Sequence, residues 1–177
     1  MSLTRSWMIA EIPGPTRANV ITKPEIVAAL IRRHKRPLLV VGSKITTDIG
    51  GESMADYVIR LAKAANIPVL ASLPALKVFR EKGFEPAAAM PLADIGARLV
   101  DPSWQGVDGK GPHDLVLILG FRYYEQWLLL SGVKHFSDTM LVSLDYRYQP
   151  HANWSFLNIS LEEWKKNLKA IIEKFGG

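Results

Sequence analysis

An apolar strand, a helix and a second apolar strand follow one another in the first half of the chain. We predict the first strand over residues 38–42, the helix over 52–65 and the second strand over 68–71. Both strands are unbroken apolar runs, which is the pattern of parallel strands whose two faces are covered by helices. The chain is therefore expected to contain a strand–helix–strand unit of a buried parallel sheet.

The same alternation continues to the end of the chain. Further strands are predicted over 114–120, 140–145 and 155–159, and further helices from Pro24 with Thr22 as its cap, over 75–82, 92–99 and 122–134, and after Ser160. Alternating strands and helices indicate an α/β protein with three layers, α/β/α, around a mostly parallel sheet of about six strands. We divide the chain into an extended arm at 1–23 and a single α/β domain at 24–177.

The chain contains no cysteine among its 177 residues. This excludes disulfides, a thiolate nucleophile and the usual thiolate ligands of iron–sulfur clusters, so a redox role needs an organic cofactor or the metals of a partner. No apolar run reaches the length of a membrane-spanning helix, and the amino terminus lacks the layout of a secretory signal. We expect a soluble, cytoplasmic protein that does not bind a membrane.

The formal charge is +5, and basic residues are concentrated at 32–36 and 165–169. One interpretation is nucleic-acid binding. The other is that these residues are the solvated ends of helices, where cations are favoured. Because no aromatic residues are interleaved with the basic runs, we favour the second interpretation and expect no nucleic-acid partner.

Several residues with the chemistry of a nucleotide site follow the predicted strands. The carboxyl ends of parallel strands meet at one edge of a sheet, where ligands of such folds bind. The candidates for cofactor binding are Gly42, Ser43, Lys44, Gly120, Arg122 and Asp145. Each has a purely structural alternative: the glycines could serve tight turns, Arg122 could hold a surface carboxylate, and Asp145 could bond its own backbone.

No catalytic or metal-ligating residues are predicted. The four histidines are not spaced three or four residues apart, and no serine lies in a nucleophile-elbow motif. We expect each histidine to be a surface or capping residue. The glycines after the first strand form neither G-x-G-x-x-G nor a Walker A sequence.

Two resemblances add to these expectations. The segment 35–42, its helix and 67–71 resemble the middle domain of thiamin-diphosphate enzymes, which has the DHS-like NAD/FAD-binding fold. Over most of its length, the chain resembles the epsilon subunit of the archaeal acetyl-CoA decarbonylase/synthase complex. The residues that carry this second resemblance are 7–15 (Trp-Met-Ile-Ala-Glu-Ile-Pro-Gly-Pro), 21–24 and 36–42.

The second resemblance implies an accessory subunit that joins the alpha subunit in an α2ε2 carbon monoxide dehydrogenase component. It implies that the chain stabilises that component, assists electron transfer to FAD, or does both, among other subunits of the complex. We expect the arm at 7–15 to contact another chain or a second copy, and self-association of the isolated chain stays open. The alternative is an independent FAD- or NAD-binding protein; a sirtuin-like deacetylase is disfavoured because the cysteines of a zinc ribbon are missing.

Overall fold

The computed structural model describes residues 17–176. The strands are β1 Asn19–Val20, β2 Pro37–Val41, β3 Asp48–Ile49, β4 Glu52–Ser53, β5 Val69–Ser72, β6 Ala88–Met90, β7 Leu115–Leu119, β8 Met140–Ser143 and β9 Trp154–Ser155. The helices are α1 Pro24–Arg33, α2 Met54–Ala64, α3 Leu73–Glu81, α4 Leu92–Val100, α5 Tyr123–Phe136 and α6 Leu161–Glu173.

Seven of these strands form one parallel sheet in the order β1–β9–β8–β7–β2–β5–β6. β3 and β4 pair antiparallel in a separate two-stranded ribbon between β2 and α2. The predicted three-layer α/β/α fold with a mostly parallel sheet is confirmed. The sheet has seven strands, against about six predicted. Five strands are located by the sequence, and the two that are not, β1 and β6, are short strands at the edges of the sheet.

The side chains of the central strands alternate between two cores, one on each face of the sheet. Leu39 and Val41 of β2 point into one core, while Leu38 and Val40 point into the other. The first core is covered by α1, α2, α3 and α6, and we call it the four-helix face. The second is covered by α4 and α5, and we call it the two-helix face.

The ends of the helices follow local capping chemistry. Pro24 is the first residue of α1, as predicted, but the residue before the helix is Lys23 and not Thr22. α2 begins at Met54 rather than 52, because residues 52–53 pair in the ribbon and Asp56 accepts a hydrogen bond from the Ser53 amide. The predicted cap of α6 is confirmed, since Ser160 Oγ accepts from the Glu163 amide at 3.1 Å.

The carboxyl-terminal part of the predicted arm belongs to the sheet. β1 pairs with β9 at the edge, and Tyr148 Oη donates a hydrogen bond to the Ala18 carbonyl at 2.8 Å. The expected contacts of residues 7–15 lie outside the described residues. None of the helices between residues 17 and 176 is both long enough and apolar enough to cross a membrane.

Candidate functional site

The order in which successive strands are added to the sheet reverses at β2. From β2 the chain proceeds outward to β5 and β6, then returns to β7 on the other side of β2. In open α/β sheets, ligands bind outside the carboxyl ends of the two strands at this switch point. A cavity of about 370 Å³ lies there, lined by Lys44, Thr47, Met54, Phe121, Arg122, Tyr123, Gln126, Asp145, Tyr146, Arg147 and Gln149. We call it the switch-point crevice.

Gly42 and Gly120 bring the turns after β2 and β7 into direct contact behind this crevice. A Cβ on Gly42 would lie 2.3 Å from the Gly120 carbonyl oxygen, so only glycine fits. Gly120 has a φ of +78°, and a Cβ there would lie 2.7 Å from Ile45 Cγ2. The Lys44 amide donates to the Gly120 carbonyl at 2.7 Å. The two predicted glycines therefore join the turns, and the Lys44 amide is already used.

The other predicted residues divide into those that reach the crevice and one that does not. Lys44, Arg122 and Asp145 line it. Ser43, the first residue of the short 3-10 turn that follows β2, is exposed and is not among the lining residues. The turn glycines and three lining side chains thus come together at one edge of the sheet, as expected for residues that follow the carboxyl ends of neighbouring parallel strands.

Asp145 is a buried carboxyl, only 8% exposed, at the base of the crevice. Both of its oxygens lie near the Gly120 amide, at 3.1 and 3.2 Å. Burial raises the pKa of Asp145 to about 7, against the opposing effects of the Gly120 amide and the Arg147 charge. Around neutral pH this carboxyl can therefore donate or accept a hydrogen bond. It holds the turn after β7 rather than its own backbone.

Three cationic side chains surround the crevice. Arg122 Nη1 donates to Tyr124 Oη at 3.0 Å and lies 3.9 Å from the Glu125 carboxylate. The contact with Glu125 is the one expected if Arg122 serves to hold a surface carboxylate. Arg147 lies over the ring of Tyr146, 5.6 Å from its centroid. Within residues 17–176, neither Lys44 nor Arg147 forms an ion pair. Arg147 was not among the predicted site residues, although its position two residues after Asp145 is a signal that could have identified it.

Two buried glutamines in the crevice wall each leave an oxygen without a hydrogen-bond partner. Gln126 Nε2 donates to Ser143 Oγ at 2.9 Å, and Gln149 Nε2 donates to the Tyr123 carbonyl at 3.2 Å. The Oε1 atoms of both side chains are buried and have no partner in the described part of the chain. Leaving a buried acceptor unsatisfied costs about 1–3 kcal/mol. Because both oxygens are shut off from the open crevice, a ligand could reach them only after a side chain rotates.

The starts of the two flanking helices are already capped from within the chain. The Asp56 carboxylate accepts from the Ser53 amide at 2.9 Å before α2, and the Glu125 carboxylate accepts from the Arg122 amide at 3.2 Å before α5. Each carboxylate places a negative charge in the first turn of its helix, where it opposes the binding of an anion to that helix end. Phosphate recognition in this crevice would therefore depend mainly on the cationic side chains.

Two histidines differ from the predicted surface or capping role. His113 is buried, with Nδ1 3.1 Å from the Arg36 carbonyl and Nε2 accepting from the Val107 amide at 3.3 Å. His151 is buried edge-on against Trp127, with 4.6 Å between ring centroids. Both fill turns beside the two-helix face. Over residues 17–176, no three His, Asp or Glu residues form a group able to hold a metal ion.

The strand order and the switch-point crevice define the class: a three-layer α/β/α protein of the Rossmann-like kind. A family model described as "CO dehydrogenase beta subunit/acetyl-CoA synthase epsilon subunit" matches residues 3–172. The chain belongs to this family, which confirms the resemblance that residues 7–15, 21–24 and 36–42 indicate.

Relatives from several archaea support the same assignment. Acetyl-CoA decarbonylase/synthase complex subunit epsilon 1 of Archaeoglobus fulgidus is 37% identical over 153 residues, which cover 86% of this chain and 80% of the relative. The epsilon 1 subunit of Methanosarcina barkeri is 34% identical, with 84% and 85% covered. The epsilon subunit of Methanothermobacter thermautotrophicus is 30% identical, with 92% and 91% covered.

Proposed function

We propose that this chain is an accessory epsilon subunit that binds the large alpha subunit of an acetyl-CoA decarbonylase/synthase complex as an α2ε2 carbon monoxide dehydrogenase component. Its role is to stabilise that component, to assist electron transfer to FAD, or both. The observation that carries this proposal is the family match over residues 3–172, together with relatives that are named as subunits of such a complex.

The composition of the chain supports an accessory role. With no cysteine, the chain cannot supply the thiolates that usually hold iron–sulfur clusters. In this proposal the inorganic electron carriers therefore belong to the alpha subunit, and this chain contributes binding surface and an organic-cofactor crevice. If the alpha subunit carries out the redox chemistry and this chain only binds a cofactor, the chain can have a nucleotide-type sheet without a predicted catalytic residue.

The switch-point crevice is proposed to hold the phosphate-bearing half of FAD. Lys44, Arg122 and Arg147 would pair with phosphates, for which arginine is well suited. Gln126 and Gln149, which are buried in the crevice wall, would accept hydrogen bonds from ribose hydroxyls or ring N–H groups once their side chains rotate toward the ligand. A volume of about 370 Å³ is near the lower end of the roughly 300–1,000 Å³ of ligand pockets, which suits part of a dinucleotide. When bound, FAD would supply an electron acceptor for the complex.

The subunit assignment is tested by association. The full chain is mixed with the isolated alpha subunit under anaerobic conditions, and the mass of the product is measured by size-exclusion chromatography with light scattering. We expect a complex with two copies of each subunit, and a higher thermal midpoint for the alpha subunit in the mixture. Separate elution of the two proteins, with an unchanged midpoint, would refute the assignment.

The crevice assignment is tested by calorimetric titration of the full chain with FAD, FMN, ADP and pyrophosphate. Arg147→Glu should weaken FAD binding by about tenfold or more, since a lost charged contact is worth at least ~1.4 kcal/mol. Lys166→Glu makes the same charge change on the exposed surface of α6 and serves as the control. Equal affinities for both variants and the wild type, or no heat with any ligand, would exclude this crevice as the site.

An independent FAD- or NAD-binding protein remains the second candidate function. It is favoured by one observation: the crevice already has a volume of about 370 Å³ in the single chain, which is within the range of ligand pockets. Tight FAD or NAD binding by the isolated chain, combined with no association with the alpha subunit, would select this alternative. Association without cofactor binding would instead leave a purely stabilising subunit.

A further inference from the structure

The two-helix face has an exposed apolar groove between α4 and α5. The groove has a volume of about 450 Å³ and is lined by Leu92, Ala93, Gly96, Val100, Glu125, Leu128, Leu129, Gly132, Val133 and Phe136. Leu128 is 62% exposed and Phe136 is 76% exposed, which are the two largest exposures of large apolar side chains in residues 17–176. We call this surface the α4–α5 groove. A contiguous apolar surface of this kind marks an interaction site.

Gly132 in the middle of α5 has no explanation within the chain. A Cβ at this position would meet no atom within 4 Å, so no neighbouring residue requires glycine there. Glycine in a helix interior is about 1 kcal/mol less favourable than alanine. Its use where α5 faces open space is explained if another backbone approaches closely at this point.

The exposed stripe of α5 is symmetric about this glycine. Leu128 and Phe136 lie four residues before and four residues after Gly132, which places all three on one side of the helix. α4 repeats the arrangement, with Gly96 midway between Leu92 and Val100. A two-fold axis that passes near Gly132 would bring Leu128 against Phe136 of the second copy, and Phe136 against Leu128 of the second copy. This reciprocal contact is the requirement for a two-fold interface.

The shape and charge of the surface fit a copy of itself. The ring of Phe136 projects from the surface, while no atom lies within 4 Å of the place where a Gly132 Cβ would stand. Gly96, by contrast, is packed by Leu129, whose Cδ1 would lie 3.1 Å from a Cβ there, so the hollow is centred on Gly132. A protruding ring and a hollow on one patch are the two halves of an interdigitating contact. Glu125 is the one charged residue among those that line the groove, and it lies in the first turn of α5. The centre of the interface is thus free of charges, as in the cores of stable homodimers.

We propose that the α4–α5 groove is the surface through which this chain binds a second copy of itself, with α5 crossing its symmetry mate antiparallel at Gly132. The inference does not depend on the proposed function, because the groove shares no lining residue with the switch-point crevice and requires no other subunit.

The absence of cysteine makes a single-cysteine test unambiguous. In the proposed dimer, the two copies of residue 132 face each other at the crossing. Gly132→Cys should therefore form a disulfide-linked dimer under mild oxidation, provided that the Cα atoms approach within about 7 Å. Leu73→Cys is the control, because Leu73 is a half-exposed apolar residue on α3 of the four-helix face. Equal cross-linking of the two variants would contradict the symmetric crossing.

The second test measures mass by analytical ultracentrifugation of the full chain at roughly 100 μM, well above the Kd of a specific dimer. The wild type should be a dimer. Phe136→Asp and Gly132→Leu should each be monomeric, or weaken dimerisation at least about tenfold, with a wild-type circular dichroism spectrum. Leu73→Asp should remain dimeric.

Two outcomes would overturn the proposal. One is a dimer that persists in both Phe136→Asp and Gly132→Leu. The other is a monomeric wild type at this concentration; if its binding to the alpha subunit is also lost in Phe136→Asp, the groove is assigned to that larger partner. This last result would leave the proposed subunit function intact, so the two proposals fail separately.

Discussion

The two faces of the sheet are covered to different extents. On the four-helix face, α1, α2, α3 and α6 enclose a core in which Trp164 and Tyr57 are fully buried. On the two-helix face, α4 and α5 cover a smaller core and leave Leu128 and Phe136 in solvent. The difference indicates that the four-helix face is built for stability within the chain, whereas the two-helix face keeps apolar surface for a partner.

The switch-point crevice lies where these faces meet. Met54 of the four-helix core and Phe121 of the two-helix core both line it. Its cationic side chains are exposed, while its glutamines and Asp145 are buried. The crevice therefore combines groups that a charged ligand can reach with groups held rigidly by the core.

The largest difference between the faces is expected for single truncations. Trp164 is fully buried, lies edge-on to Tyr57 at 5.6 Å, and donates from Nε1 to the Leu144 carbonyl at 2.6 Å. Trp164→Ala should lower the free energy of unfolding by about 3–5 kcal/mol. Leu128→Ala on the exposed stripe should change the stability of the monomer by no more than about 0.5 kcal/mol. Urea unfolding at low protein concentration measures both, and similar losses for the two variants would break the comparison.

A pH-dependent effect is expected where the faces meet. The pKa of Asp145 is raised from 3.8 to about 7 by burial, so the folded protein retains this proton more strongly than the unfolded chain. The free energy of unfolding should therefore fall as the pH rises from about 4 to about 7. The total is a few kcal/mol, at about 1.4 kcal/mol per pKa unit.

Asp145→Asn isolates this effect. The variant should lose the decline between pH 4 and 7, because Asn keeps an acceptor for the Gly120 amide but does not ionise. Unfolding by urea at several pH values gives the difference in stability between wild type and variant. Parallel pH profiles for the two proteins would show that the Asp145 carboxyl does not titrate in the way that its burial implies.

The two kinds of glycine should respond in opposite directions. Gly42→Ala places a Cβ 2.3 Å from a backbone oxygen and should destabilise the fold by about 1–3 kcal/mol. Gly132→Ala lies in open space within a helix and should stabilise the monomer by up to about 1 kcal/mol. Thermal unfolding of dilute samples distinguishes the two, and a destabilised Gly132→Ala monomer would mean that Gly132 has a structural role inside the chain.

The sequence predicts the centre of the fold better than its margins. β2 and β7 are identifiable because both faces of each strand are buried, which produces continuous apolar runs. β6 is three residues long and rich in alanine, which has low β-propensity, and β1 and β9 have two residues each. Pairing with neighbouring strands, rather than local preference, makes these short segments strands.

The candidate site divides in the same way. Gly42, Gly120 and Asp145 could be located because strand ends meet at one edge of a parallel sheet. Gln126 and Gln149 could not, because one lies inside α5 and the other in the loop between β8 and β9, and only the folded chain brings them to the crevice. Their side chains are buried and form hydrogen bonds with residues that are distant in the sequence. Such tertiary contacts leave no pattern in the local sequence.

The central claim is that this chain is an accessory subunit whose switch-point crevice serves an organic cofactor. The most direct measurement compares the rates at which the alpha subunit oxidises carbon monoxide with FAD or with a viologen dye as the electron acceptor. Addition of the wild-type chain should raise the FAD-linked rate, and Arg147→Glu should remove that increase while Lys166→Glu preserves it. An FAD-linked rate that is the same with and without the chain would contradict the role in electron transfer, and an equal increase with Arg147→Glu would contradict the role of the crevice.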